Sequence, residues 1–268
     1  MEEHFELITS PSNSKVKYIS SLIKKSAKRR EDNVYVVEGL RMVLDAPLND
    51  IISIFVSDSL YYKEEKIRDF LDKCKNIDIL LVSDRIIKHI SDTVTPQGII
   101  AIIKRKKYEV DLNKDAFLLL EDIQDPGNLG TLFRTAEAAG IQEIIMSRDC
   151  VDIYNPKTIR STMGTIYRMP HFICNDKTEW QTVINALIAN GASLLGGALT
   201  GSTCYDKIDY TKKTGIVIGN EGNGISPDTL DMIKSINIPM EGEIESLNAA
   251  MAGGIIMYEM HRQRYDMG

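Results

Sequence analysis

Apolar and polar positions follow two different styles along this chain, and the style changes near its middle. In the first half, Val16, Ile19, Ile23 and Ala27 recur at helical spacing and leave most of the neighbouring lysines on the other face, which predicts one amphipathic helix. NVYVVEG (33–39), IISIFVS (51–57), IDILLVS (77–83) and GIIAIIK (98–104) are short β-rich runs, and the charged stretch 62–75 favours helix. This half reads as a small alternating domain with no catalytic constellation, a module for gripping substrate.

The second half alternates more clearly. AFLLLEDI (116–123) is an apolar run of the kind buried on both faces of a parallel sheet. A helix from about Leu129 to Ala139 ends at Gly140, and another from about Glu179 to Asn190 stops at Gly191. EIIMS, SLLGGAL, GIVIGN and INIPM read as strands. Pro156 opens one short helix, Ser226-Pro227-Asp228 caps another, and the last helix is predicted to begin at Ser246. The implied class is α/β, with helices on both faces of a mostly parallel sheet. The expected division is residues 1–105 for the gripping domain, 106–114 for a polar linker and 115–268 for the second domain.

Charge refines this picture more than composition does. The chain of 268 residues carries a net −6, which is unfavourable for a nucleic-acid partner taken as a whole. Yet Lys15, Lys17, Lys24, Lys25, Lys28, Arg29 and Arg30 fall within sixteen residues that contain no acid, and Arg41 follows. A local stripe can hold phosphates on an acidic protein, because the field within a Debye length of about 8 Å is what counts. A solvated helix face explains the same stripe. A second basic run, Lys104 to Lys107, reads either as a further patch or as a charged linker. Cys74, Cys150, Cys174 and Cys204 lie far apart, as do the four histidines, so neither a disulfide framework nor a metal site is expected. The acidic, polar start MEEHFELITS resembles no export or transit segment, and a cytoplasmic protein with reduced thiols is the expectation.

Chemistry concentrates in three loops, each following a predicted strand: 122–140, 215–226 and 238–252. Loops at strand carboxyl ends are where open α/β sheets bind ligands. Gly219, Gly222 and Gly224 space as G-x-x-G-x-G, which is neither the dinucleotide fingerprint nor, without Gly-Lys-Ser/Thr, a phosphate-binding P-loop. Each loop alone is a plausible turn. Together and in this order they resemble the SpoU/TrmH branch of the SPOUT methyltransferases. The first matches through Asn128, Gly130 and Arg134; the second through Gly219, Asn220, Glu221, Gly222 and Gly224; the third through Ile238, Pro239, Met240, Gly242, Ser246, Leu247 and Asn248. The resemblance spans roughly 116–264, and the opening from Thr9 to Gly39 is similar to the substrate-binding domain, like ribosomal protein L30e, that many members carry. Ala249-Ala250 departs from the Val-Ser usual after Ser-Leu-Asn.

That resemblance implies a trefoil-knotted C-terminal domain, a homodimer, and transfer of a methyl group from S-adenosylmethionine to a ribose 2′-hydroxyl, with ribosomal RNA favoured over transfer RNA. It implies cofactor contacts from Gly219, Ile238, Met240 and Leu247, and from Leu199 and Thr200 in the preceding loop. Arg134, Asn128, Glu221, Ser246 and Asn248 become the candidate catalytic residues. An arginine with pKa above 12 is a poor base, so Arg134 is read as a clamp on a phosphate or on the developing alkoxide. Asn128 and Asn248 would position the ribose or Arg134, and Glu221 would orient Arg134 or accept a proton. The small residues Ala249, Ala250, Ala252, Gly253 and Gly254 suit either a subunit interface or close packing within one chain. Two rival functions are a non-enzymatic RNA binder that kept the fold and a resistance enzyme acting on ribosomal RNA.

Overall fold

The structure is a computed structural model and describes residues 6–198, 203–243 and 246–265. Two compact units emerge: residues 1–106 with Tyr154–Tyr167, and Lys107–Ile153 with Arg168–Gly268.

The first unit opens with α1 (Ser14–Lys24), whose N-terminus is capped by the Asn13 side chain accepting from the Lys15 amide. A single helix through Ala27 does not form. Lys25 is extended (φ −122°, ψ 110°), and a second helix, α2 (Ser26–Glu31), restarts beyond it. The buried stripe is accordingly Val16, Ile19 and Leu22, while Ala27 is exposed. Next come β1 (Val34–Glu38), α3 (Leu40–Leu44), β2 (Ile51–Ser57), α4 (Asp58–Lys63), α5 (Glu65–Leu71), β3 (Asp78–Val82), α6 (Asp84–Ile90) and β4 (Ile99–Lys104). The four strands form one sheet in the order β1-β4-β2-β3, antiparallel except for β2 with β3. Its core joins Val16, Ile19 and Leu22 to Val36, Phe55, Val82 and Ile87.

The second unit begins with β5 (Ala116–Leu120), fully buried along its length as the apolar run predicts. Then α7 (Pro126–Ala138) starts three residues earlier than the periodicity suggests. Asp125 caps it by accepting from the Asn128 amide, and Pro126 occupies the first turn, where its missing N–H costs nothing. Leu129, Leu132, Phe133 and Ala136 face the core. After β6 (Glu143–Met146) the chain leaves this unit, and residues 154–167, with α8 (Pro156–Thr162), pack on β1 of the first. Tyr154 lies against Tyr35 at 5.1 Å between ring centroids, and the Arg105 guanidinium stacks 3.9 Å over the Tyr154 ring. The Tyr167 hydroxyl donates to the Met42 carbonyl at 2.7 Å, and Arg160 pairs with Asp92 at 3.1 Å.

The chain then returns as β7 (His171–Ile173), α9 (Lys177–Ala189), β8 (Ser193–Gly197), β9 (Thr203–Cys204), β10 (Thr214–Ile218), α10 (Pro227–Leu230), β11 (Lys234–Asn237) and α11 (Ala249–Tyr265). Seven strands pair in the order β7-β6-β5-β10-β8-β11-β9, every pairing parallel. α11 lies against α7 and β10. Gly253 makes this approach possible, since a β-carbon there would fall 2.6 Å from Leu132 Cδ2. Part of the small-residue run therefore serves packing within the chain. The helix also starts later than the expected Ser246: Asn248 is its cap, its side-chain oxygen accepting from the Ala250 and Met251 amides.

Candidate active site

In the sheet β5, β10, β8 and β11 are consecutive neighbours and all parallel, so their carboxyl ends and the loops leaving them share one edge. Asn128, Glu221, Ser246 and Asn248 sit in those loops or at the starts of α7 and α11, and Arg134 lies two turns further along α7. One hydrogen-bonded line draws three of them together. The Glu221 carboxylate accepts from the Gln124 and Asp125 amides at 3.1 and 3.2 Å and from the Asn128 side chain at 3.0 Å. Asn128 Oδ1 in turn accepts from Asn248 Nδ2 at 3.0 Å. Residues 120 positions apart in sequence thus meet through two amides and a carboxylate. Burial works against ionisation of Glu221, but the hydrogen bonds from Asn128, Gln124 and Asp125 outweigh it and hold its carboxyl below the usual range. Such a group is a fixed negative acceptor and a weak base. Its partners are Gln124, Asp125 and Asn128, and Arg134 is not among them.

Arg134 lies further along α7, exposed, with no ion pair or hydrogen bond among the described residues. An exposed guanidinium without a partner is available for an external anion. Ser246 is exposed just before α11.

The second loop is held by its own geometry. Asn220 and Gly224 exchange backbone hydrogen bonds at 3.0 and 2.9 Å, and the Asn220 side-chain oxygen accepts from the Gly222 and Asn223 amides. A β-carbon on Gly219 would lie 2.3 Å from the Gly224 carbonyl carbon and the Ile225 nitrogen, so this glycine is required by the loop itself. Two residues outside the expected set hold the loop from β5. Asp122 adopts the left-handed conformation (φ 57°), which costs a non-glycine residue about 1–2 kcal/mol, and its carbonyl accepts from Asn220 Nδ2 at 2.8 Å. The buried Glu121 accepts from the Ser226 amide and hydroxyl and from Thr229 Oγ1. The Asp-Pro before Gly127-Asn128 marks the α7 cap in the sequence; nothing there marks the turn at Asp122.

Among the expected cofactor contacts, Ile238 and Leu247 are half-buried and Met240 is exposed, all at the end of β11 or ahead of α11, while Leu199 and Thr200 lie outside the described residues. The backbone groups of Met240 and Leu247 take no hydrogen-bond partner among the described residues. Unpaired backbone donors and acceptors beside apolar side chains fit the needs of an adenosine and a thioether chain. Ala249 and Ala250, which replace the usual Val-Ser, are buried in the first turn of α11, where the Ala250 amide takes the Asn248 cap.

The family assignment now has sequence support across the whole site. Residues 115–258, which contain all three loops, match the SpoU rRNA Methylase family, and residues 13–101 match an MRM3-like substrate binding domain. The chain belongs to the SpoU rRNA methylase family. It is 30% identical over 254 residues to the 23S rRNA (guanosine(2553)-2′-O)-methyltransferase RlmP of Bacillus subtilis, covering 94% of this chain and 98% of that protein. It is 28% identical over 314 residues to human mitochondrial rRNA methyltransferase 3, covering 94% and 73%. Among solved structures, the AdoMet-bound rRNA methyltransferase from Sinorhizobium meliloti superposes with a TM-score of 0.84 at 28% identity, covering 96% of this chain and 98% of that one.

The basic stripe of the first unit is less uniform than its sequence. Lys15 pairs with Asp78 at 2.6 Å, and Lys28 with Glu31 and Asp32 at 3.2 and 3.0 Å. Arg29 is a correction: it is 3% exposed and donates to the carbonyls of Leu22 and Ile23. It satisfies the carbonyls left open where α1 ends, so it is a structural clamp and not a phosphate ligand. Lys17, Lys24, Lys25 and Arg30 remain exposed, as does Arg41 beside Asp45. From the second basic run, Arg105 is committed to Tyr154 and Lys106 to Asp50.

Proposed function

We propose that this protein transfers the methyl group of S-adenosylmethionine to a ribose 2′-hydroxyl of ribosomal RNA. The observation that carries this reading is the line Glu221–Asn128–Asn248, which gathers the three motif loops at one sheet edge, with the exposed Arg134 on the same helix as Asn128. The names of the bacterial and human relatives support the substrate class, and the Bacillus relative makes large-subunit RNA the first to test.

Bound cofactor supplies an electrophilic methyl group on sulfur. The chain's own residues then orient the acceptor: Asn248 and Asn128, fixed by Glu221, offer amide groups to a ribose, and Arg134 holds the adjacent phosphate or the developing alkoxide. Gly219, Ile238, Met240 and Leu247 take the cofactor largely through backbone groups. The first unit grips RNA phosphates with Lys17, Lys24, Lys25, Arg30 and Arg41, helped by the partly paired Lys15 and Lys28.

A homodimer belongs to the same reading. Met251, Tyr258 and Tyr265, spaced by seven along α11, are 61%, 51% and 75% exposed, an apolar stripe suited to a second copy. The trefoil thread implied by the family resemblance belongs to it too, supported by motif loops that all leave one edge of adjacent strands. A cytoplasmic location is supported by four cysteines present as free thiols.

The test is nucleoside mass spectrometry of ribosomal RNA from a strain lacking the protein, before and after incubation with the protein and S-adenosylmethionine. One 2′-O-methyl nucleoside should be missing and then restored; no change in either step refutes the proposal.

A further inference from the structure

Consecutive residues at the end of β5 hold opposite ends of the loop that carries Glu221. Glu121 accepts from the Ser226 amide at 3.0 Å and the Ser226 hydroxyl at 2.6 Å, fixing the end of the loop. Asp122 presents its carbonyl to Asn220 Nδ2 at 2.8 Å, fixing the start. That carbonyl is available because Asp122 is left-handed, a conformation that aspartate tolerates better than most residues but that glycine adopts without strain. The Ser147 hydroxyl at the end of β6 locks the turn, accepting from the Asp122 amide at 2.9 Å and donating to its carboxylate at 2.6 Å. Next to Asn220 in the loop, Glu221 reaches the Gln124 and Asp125 amides and Asn128.

We infer that Asp122 is a positioning residue for methyl transfer, acting through its left-handed backbone, which sets the loop 219–226 against α7. It touches neither substrate nor cofactor. The inference deepens the methyltransferase reading and rests on it for its catalytic consequence, while its structural part stands alone.

The experiment measures amide hydrogen exchange in the cofactor-free full chain, and turnover on ribosomal RNA, for Asp122→Ala and Asp122→Gly. Alanine resists the left-handed turn; glycine keeps it while deleting the carboxylate. Asp122→Ala should speed exchange across 219–226 at least ten-fold, leave β6 and α9 unchanged, and lower kcat at least ten-fold. Asp122→Gly should stay within about three-fold of the parent in both readouts. A glycine variant as impaired as the alanine variant overturns the inference, because the carboxylate would then be what matters. So does an alanine variant indistinguishable from the parent. If Asp122→Ala does not fold, Asp122→Gly carries the test alone: exchange across 219–226 and turnover within about three-fold of the parent support the inference, and a ten-fold change in either overturns it. A parent protein that methylates no RNA sinks the methyltransferase reading and leaves the exchange comparison intact.

Discussion

Replacing Gly219 by alanine places a methyl group where the structure has backbone. The new β-carbon would lie 2.3–2.4 Å from the carbon and oxygen of Gly224 and the nitrogen of Ile225, and no flexible side chain can swing away. Relief requires opening the Asn220–Gly224 bridge, with loss of two backbone hydrogen bonds of about 1 kcal/mol each. Residual crowding adds about 1–3 kcal/mol. A total of about 3–5 kcal/mol corresponds to a fall in Tm of roughly 6–20 °C for a chain of this size. The other loop glycines are internal controls. A β-carbon on Gly224 meets nothing within 4 Å, but φ is +68°, so Gly224→Ala should cost only about 1–2 kcal/mol. At Gly222 the nearest atom is Asn220 Oδ1 at 3.6 Å, an ordinary contact, and the change should fall within about 0.5 kcal/mol. Thermal unfolding followed by circular dichroism ranks the three. A Gly222 variant as damaged as the Gly219 variant, or a Gly219 variant as stable as the parent, refutes the steric argument.

Three further outcomes follow from the site and the stripe. Arg134→Ala should bind S-adenosylmethionine nearly normally by calorimetry while turnover falls roughly 10²-fold or more, since a charge contact used at the reacting centre is lost; undiminished turnover removes Arg134 from the mechanism. The folded-state pKa of Glu221 is depressed, so its contribution to stability is complete above the unfolded value of about 4.3 and is lost as pH falls through the folded value. Urea unfolding of Glu221→Gln beside the parent should show a constant gap near neutrality that closes in acid, and a gap that widens in acid would contradict the assigned direction. Replacing Lys17, Lys24, Lys25 and Arg30 together by alanine should weaken RNA binding and flatten its salt dependence, each lost phosphate contact reducing the slope by about 0.7–0.9; an unchanged slope would place the RNA elsewhere.

Much of this was legible from periodicity and from the order of the three loops. The buried run 116–120 and the helices ending at Gly140 and Gly191 are visible because parallel strands and helix-ending glycines leave local signatures, whereas Asn128, Glu221 and Asn248 stand out only through the family resemblance of the three loops. What escaped depends on partners distant in sequence. The break at Lys25 is invisible in a stripe of basic residues, and so is Arg29 turning inward to the carbonyls that the break exposes. The link from Glu221 to Asn128 spans 93 positions and exists only because β10 inserts beside β5. The strand 171–173 is too short for a period, and the left-handed Asp122 is a backbone property that no spacing records.

The return of residues 154–167 to the first unit bears on how this protein can be cut and recombined. A fragment ending at Lys106 would leave Tyr35 and Arg105 without the ring of Tyr154, Asp92 without Arg160, and the Met42 carbonyl without the Tyr167 hydroxyl. A single nick in 107–114 would not free the two units, because the backbone passes between them again on either side of 154–167. Grafting a foreign substrate domain at that junction would therefore import a bare β1 surface and strand the helix 156–162 without its bed, so any working chimera has to exchange both segments at once.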